Sequence, residues 1–505
     1  MPDRLGTERG LDDALIRVAI EEHEKAVAPR LEELWRYFRN PAEPVGAEGG
    51  SSRGWRLAQE AGLPARVTGR SSGLGEDAFS LDDRARTRRE VVIENDIAWR
   101  VLTMVDFLFG RPVRIASEAS DAGLAADVER VLDAVWEASG GLALLQDVAL
   151  LGHVYGHVDL AVRVDEGALA ELAGEDPAVV AAHAIRIEPI EATRGVPILS
   201  AGDYRRLDGY LVHFERELNE VERTDRAGRA KRLFGRERAN GRASSRLQRK
   251  RGTVTEVFEP GRWRRVEDGE VVAERASSLL PDVVPVVHVQ NGSQPFRYSG
   301  LSEVEALIPL QDELNTRLSD RASRVTMQSF RMYLAKGLDG FDRVPVTPGS
   351  VWSTNNPDAS IESFGGDGAS PSEESHIEQI REAMDKASAV PPLAGGVVRA
   401  KVGNLTSANA LRITLLSLLA KTARKRVTYG RGIVEASGLV LDALAGAGVL
   451  MTGERERGLR VAWPDALPSV PAEDLSAAES KRELGVGDER LLAELGYGSG
   501  DPGVV

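Results

Sequence analysis

The strongest periodicity in the chain lies between Leu301 and about Ala447, where apolar positions recur at helical spacing in three separate stretches. In LSEVEALIPLQDELNTRLSDRASRV, residues Leu307, Leu314, Leu318, Ala322 and Val325 form one stripe at three- and four-residue steps, which predicts an amphipathic helix. Ser302 is placed to cap it, and Glu303 and Glu305 fall in a first turn, where free amides favour negative charge. Pro309 either kinks this helix or restarts it a turn later. The stretch from about Met332 to Pro371 is rich in glycine, proline and asparagine and carries only short apolar runs. Helix returns at SEESHIEQIREAMDKASAV, with Ile377, Ile380, Met384 and Ala387 on one stripe and Glu374, Glu378, Glu382 and Asp385 on another. Pro391-Pro392 ends it. After the loop LAGGVVRAKVGNL, a long helix is predicted over TSANALRITLLSLLAKTARKRVTYGRGIVEASGLVLDALA, with glycines at 430 and 432.

The remainder of the chain is mixed. Residues 12 to 40 read as helix, with apolar positions at Leu15, Val18, Ala19, Leu31, Leu34 and Trp35, and residues 41 to 80 read as a loop of glycine, serine and proline. The segment 84 to 110 begins basic and continues as a helix patterned on Ile93, Ile97, Val101, Met104, Val105 and Leu108, closed by Gly110 and Pro112. Two helical patterns follow between 124 and 152, after which the period turns to two. AIRIEPIEA, GYLVHFERE, GTVTEVFE, GRWRRVEDG, EVVAER and VVPVVHVQN are short β-rich runs broken by Gly, Asp and Pro, so an α+β lobe is expected up to about residue 290. Past 450, MTGERERGLRVAWPDALPSVP reads as a last strand and exit loop, followed by short helical pieces and a polar tail.

Length and composition narrow the classes. At 505 residues the chain is too long for one ordinary core and is expected to divide into lobes. Its hydrophobic fraction of 42% and charged fraction of 28% are those of a folded, soluble protein. Cysteine is absent, which excludes disulfides, thiolate metal sites and a cysteine nucleophile. No apolar run reaches the roughly 18 residues that span a bilayer, and MPDRLGTERGLDD is too polar for a signal peptide. A net charge of -14 argues against a protein that coats DNA, since neutralising phosphates takes clustered cations, but it suits one that lets DNA pass without gripping it.

Three segments together carry a family resemblance. They are NDIAWRVLTMVDFLFGRPVRI (Asn95 to Ile115), GLSEVEALIPLQDELNTRLSD, and LTSANALRI at the start of the long helix. Their order and spacing resemble those of phage portal proteins of the long-tailed type. The resemblance implies an α+β portal fold: an α/β wing, a two-helix stem, a small α/β clip, a long kinked wing helix after a tunnel loop, and a helical C-terminal crown. Carried onto this chain, that gives residues 1–300 as wing, 301–331 as first stem helix and 332–371 as clip. It gives 372–391 as second stem helix, 392–406 as tunnel loop, 407–465 as long helix returning to the wing, and 466–505 as crown and tail. The implied function is structural and non-enzymatic, without cofactor or metal. A homo-oligomeric ring, dodecameric in the family, sits at one capsid vertex of the virion as the channel for DNA packaging and ejection. It would assemble in the bacterial host cytoplasm, with major capsid protein, scaffold, terminase large subunit, head-tail adaptor and double-stranded DNA as partners and no membrane.

Several constellations acquire a role in that frame. The loop residues Leu393, Gly395, Gly396, Arg399, Lys401 and Asn404 offer mobility and two cations for transient phosphate contact, multiplied around a ring. The acidic stripe Glu374, Glu378, Glu382 and Asp385 is either a solvent face or a face repeated around a bore or an intersubunit seam. Arg317, Arg321 and Arg324 form a basic face that could answer it, between stem helices or between neighbouring subunits. The run from Arg223 to Arg251, including Arg229, Lys231, Arg232, Arg236, Arg249, Lys250 and Arg251, has only Asp225 and Glu237 as acids and no apolar stripe. It reads as a solvated loop or arm, either without a specific partner or in contact with DNA or an acidic coat or scaffold surface. A DNA-binding structural or minor head protein acting through that arm is therefore an alternative. A metal-dependent enzyme built on His153 and His157 is a further one, but the segment lacks the glutamate beside the first histidine, and Gly152 and Gly156 point to a helix end. No phosphate-binding loop, dinucleotide fingerprint or nucleophile elbow occurs.

Overall fold

The computed structural model describes residues 10–44, 55–68, 90–203, 206–220, 248–329, 332–336, 356–364, 371–395, 412–467, 478–488 and 491. Helix α1 (Asp13–Glu22), capped by Asp12, passes through one wide π-turn (His23–Val27) into α2 (Ala28–Arg39). The next stretch is more ordered than its glycine and serine content predicts. Strands β1 (Ala42–Pro44) and β2 (Trp55–Leu57) pair antiparallel and lead into a 3-10 turn (Ala58–Gly62) and the short α3 (Ala65–Thr68).

The apolar pattern of 84–110 becomes helix only from Asp96, as α4 (Asp96–Phe109), because Asn95 accepts the Ala98 amide as its cap. The segment before it is held extended by another element, described below. Strand β3 (Arg114–Ser117) then precedes α5 (Ala122–Ala138) and α6 (Gly141–Tyr155), which are apolar enough to pass for a membrane pair but bend by 68° and pack into the core. Among the described residues no single helix is long and apolar enough to cross a membrane.

Gly156, at φ 91°, ends α6 in the left-handed conformation and allows His157 to open β4 (His157–Val164) directly. Two short helices, α7 (Glu166–Glu171) and α8 (Pro177–Ala184), fall in the stretch where the strand signal dominates. They are followed by β5 (Ile185–Ile190), β6 (Gly195–Leu199), β7 (Leu207–Glu220), β8 (Gln248–Glu259), β9 (Arg262–Glu267), β10 (Glu270–Ala276) and β11 (Val286–Gln290). All pairings are antiparallel: one sheet has the order β10-β9-β8-β7-β6, and a second has the order β11-β4-β5.

The C-terminal part begins with a 3-10 turn (Glu305–Leu307) that restarts as α9 (Ile308–Ser329), so Pro309 falls in the first helical turn, where its missing N–H costs nothing. Strands β12 (Met332–Lys336) and β13 (Ser360–Phe364) pair as a two-stranded ladder. Helix α10 (Pro371–Ser388), a 3-10 turn (Pro392–Gly395) and the long α11 (Leu416–Gly446) follow, and β14 (Leu459–Ala462) returns to pair with β3. The main core joins α5, α6, β4, β5, β11 and the C-terminal half of α11. A second core joins α2, α4, α9 and α10 through Leu34, Phe38, Ile97, Leu314, Leu318, Ile377 and Met384. The molecule is thus α+β, with both classes of element sharing the larger core.

Candidate functional site

Helix α9 is bound to the body by a ladder that no apolar pattern reveals. Gln311, Asn315, Ser319 and Ser323 recur every four residues along one face. Their side-chain oxygens accept the backbone amides of Asp96 (3.1 Å), Glu94 (3.0 Å), Val92 (3.0 Å) and Glu90 (3.3 Å) in turn. Four helical residues rise about 6 Å and two extended residues about 6.6 Å, so the two periods match and the segment 90–96 is drawn out along the helix. Gln59, fully buried, closes the network by bonding Asn95 (2.9 Å) and accepting from Asn315 (3.1 Å).

Helix α10 runs back along α9. Leu307, Leu314 and Leu318 of the predicted stripe are buried against Ile377, Ile380 and Met384, but Ala322 is half-buried, Val325 is exposed, and on α10 Ser388 is buried where Ala387 is exposed. The two helices are therefore in firm apolar contact near the body and less so toward the β12–β13 end. There the contact becomes ionic, since Arg324 pairs with Glu373. His376 lies 3.3 Å from Glu313.

The charged stripes divide differently from their wheel positions. Glu374, Glu378 and Glu382 are exposed, whereas Asp385 turns to α4, where it receives the Arg100 guanidinium at 2.6 Å. Arg100 is only 1% exposed and stacks over Trp99 at 4.6 Å, so this is an internal bond and Asp385 leaves the acidic face. Arg317 is satisfied within its own helix by Glu313 (2.7 Å) and Asp320 (3.3 Å), and Arg321 is half-buried. Arg66 of α3 shares Asp320 with it.

The base of the helix pair is a buried charge cluster. Ser302 accepts the amides of Val304 (3.1 Å) and Glu305 (3.3 Å), fixing Glu303 in the turn before α9. The Glu303 carboxylate, 9% exposed, takes Lys421 through one oxygen and Lys425 (2.8 Å) through the other, both from α11. Lys421 also donates to the Ser388 carbonyl (2.8 Å), the last residue of α10. Burial alone would raise the Glu303 carboxyl, but Lys425 and then Lys421 outweigh it and hold the pKa at about 2. Lys425 is pushed down to about 8, because burial and the neighbouring Lys421 outweigh its share of one carboxylate. His153, fully buried at the end of α6, is held neutral by burial and by Lys425. Lys421 of α11 thus bridges the Glu303 carboxylate, in the turn before α9, and the end of α10.

His157 does not join His153 on one helical face, since Gly156 turns the chain between them. It packs against His288 and Tyr298 at ring separations of 5.5 and 5.7 Å. Beside it, Asp159 is nearly inaccessible and bonds His288 (2.6 Å), Tyr210 (2.7 Å) and Tyr298 (2.7 Å), a polar knot between the two sheets. Among the described residues no group of three His, Asp or Glu side chains could hold a metal ion.

Leu393 and Gly395 lie in the 3-10 turn against α4, and a side chain at Gly395 would overlap the Trp99 indole. Gly396, Arg399, Lys401 and Asn404 lie outside the described residues, as do Arg229, Lys231, Arg232 and Arg236 of the basic arm. Arg249, Lys250 and Arg251 are not in a loop, as the charge run suggests. The β7–β8 ladder extends to Glu220↔Gln248 and places them in β8 opposite Asn219, Leu218 and Glu217, because backbone pairing from the buried part of the hairpin continues outward.

A family model described as "Phage portal protein, SPP1 Gp6-like" matches residues 19–495. Among solved structures, the chain resembles one from the virion of a native gene transfer agent particle, at 14% identity over 79% of this chain and 89% of that one, with a TM-score of 0.39. It also resembles one from the neck of an empty gene transfer agent particle computed with C6 symmetry, at 12% identity, the same coverages and a TM-score of 0.39. No curated protein matches.

Proposed function

Because the chain belongs to the phage portal protein family of the SPP1 Gp6-like type, a structural and non-enzymatic family, we propose that it forms a homo-oligomeric ring at one vertex of a phage capsid. In this reading the ring, a dodecamer as in the family, is the channel through which double-stranded DNA enters under a separate terminase and later leaves. Helices α9 and α10, about 33 and 27 Å long from their 22 and 18 residues, serve as the stem wall. The β12–β13 ladder at their far end belongs to the clip, which meets terminase large subunit and then the head-tail adaptor. Residues 1–300 act as wing toward the major capsid protein and scaffold, and residues 466–505 as crown. The segment with Leu393, Gly395, Gly396, Arg399, Lys401 and Asn404 serves as the tunnel loop, whose cations brake or centre DNA. The basic arm from Arg223 to Arg251 meets DNA or an acidic coat or scaffold surface.

The observation that carries this reading is the antiparallel α9–α10 pair tied at its base to α11 through one buried carboxylate. Such a unit transmits load along the helix axis, and its exposed Glu374, Glu378 and Glu382 repeat around a ring as an acidic face available to a neighbouring subunit. Native mass measurement and negative-stain imaging of the purified chain test it. Closed rings with a central hole are expected; a chain that stays monomeric at all concentrations would overturn the proposal.

A further inference from the structure

Helix α11 carries an outward face that nothing among the described residues covers and that is cationic in a chain of net negative charge. From Arg412 to Val434 there is no carboxylate, although the chain as a whole carries a net charge of -14. Lys421 and Lys425 turn inward to Glu303, and Arg426 lies over Trp463 at 5.2 Å. On the opposite side Leu416 and Val427 are 63% and 69% exposed, with Ala420 and Ala423 between them and Arg424 and Arg431 exposed along the edges, and Arg412 and Ile413 are exposed in the turn just before the helix. At about 100° per residue the positions from Leu416 to Arg431 fall within roughly a third of the helix circumference, so they form one continuous strip.

We propose that this strip is a subunit seam, occupied by the acidic face of α10, with Glu374 and Glu382, from a second copy of the same chain. The inference rests on the ring reading above and gives it a specific contact. Charge complementarity selects the occupant. The strip is cationic, the outward face of α10 is acidic, and two copies of either face would repel each other. A contact between unlike faces of identical chains is head-to-tail, the kind that closes into a ring rather than stopping at a two-fold dimer. The exposed methyl groups favour a protein surface over a DNA backbone, because phosphates reward donors and cations but leave Ile413, Leu416 and Val427 in water.

The absence of cysteine from the chain makes the test direct. Full-length chains carrying Glu382→Cys, Arg424→Cys, or both are assembled and oxidised, then run without reductant. The double variant is expected to give a ladder of covalent oligomers and each single variant none. As a second measurement, Arg424→Glu should reduce ring formation at least tenfold at low salt, and Glu382→Arg in the same chain should restore it. Rings of normal mass with no ladder and no effect of Arg424→Glu would overturn the seam while leaving the ring reading intact. A covalent dimer from either single variant would mean that like faces meet, and would also overturn it. If Arg424→Glu instead removed salt-sensitive binding of a DNA duplex without altering assembly, the face would belong to DNA. A wild-type chain that never assembles would remove the ring reading and the seam together.

Discussion

Replacing Glu303 with glutamine keeps the shape of the carboxylate and removes its charge, which leaves Lys421 and Lys425 buried with no counter-ion beside them. The magnitude follows from the carboxyl's displacement. A pKa of about 2, against 4.5 for an unperturbed glutamate, is a difference of 2.5 units, or about 3.4 kcal/mol at neutral pH at 1.36 kcal/mol per unit. Direct loss of one partner from a buried pair costs about 3–5 kcal/mol, which agrees. Because the folded-state pKa is depressed, this stabilisation is fully present above pH 4.5 and is lost as pH falls through 2. At pH 3 about 1.4 kcal/mol of it should remain. Lys425 acts in the other direction and in a separate window: its folded-state pKa of about 8 lies below its ordinary 10.5, so the cost of burying its charge is full below pH 8 and relieved toward 10.5. The assay is hydrogen exchange at Glu303, whose amide bonds the His153 carbonyl at 2.8 Å, and over the first turns of α11, in wild type and Glu303→Gln at pH 7 and pH 3. Protection at pH 7 should fall by at least a hundredfold in the variant, and the gap should narrow at pH 3. Equal protection at pH 7, or a gap that does not narrow in acid, would refute the view that this carboxylate clamps the three helices. Restoring stability with Glu303→Gln combined with Lys425→Met would support it further.

Asp385→Ala should strand the buried Arg100 guanidinium and cost about 3 kcal/mol, read as faster proteolysis within α10; unchanged cleavage would mean that Asp96, at 3.5 Å, suffices. Asn315→Leu removes the acceptor of the Glu94 amide and the donor to Gln59, and should lower the thermal midpoint by an amount matching about 2–4 kcal/mol. Gly152→Ala should destabilise the main core because its methyl overlaps the Tyr429 hydroxyl, and Tyr429→Phe in the same chain should recover part of the loss; no recovery would point to some other strain. Arg399→Ala with Lys401→Ala should leave ring mass unchanged and alter only DNA retention, measured as packaged length; altered ring mass would place these residues in assembly.

Much of this was legible beforehand where one physical signal dominated. The helices at Ile308–Ser329, Pro371–Ser388 and Leu416–Gly446 follow from apolar spacing, and the β-rich runs between 157 and 290 appear as strands because they alternate about Gly and Asp turns. Failures came where a distant partner decided. Residues 90–95 share an apolar pattern with α4, yet their amides are taken by α9, which keeps them out of the helix. Asp385 sits on the same wheel stripe as Glu382, but only the packing of α4 shows that it faces Arg100. Glu303 looked like a first-turn acid favoured by a helix dipole; its bonds to two lysines more than a hundred residues away are a tertiary fact. The four-residue spacing of Gln311, Asn315, Ser319 and Ser323 was visible in the text, but polar residues at helical spacing read equally well as a wet surface.

The ladder on α9 constrains the two partners unequally. It grips peptide groups and not what hangs from them, so the ladder itself fixes no letter at Glu90, Val92 or Glu94; Val92 is held instead by packing on the second core and Glu94 by its 2.6 Å pair with Arg381. A proline at any of the three would delete a rung, and so would loss of a polar tip on the helix. The rail should therefore prove intolerant of substitution at every rung and the strap most permissive at Glu90, a contrast that deep mutational scanning of both segments would display.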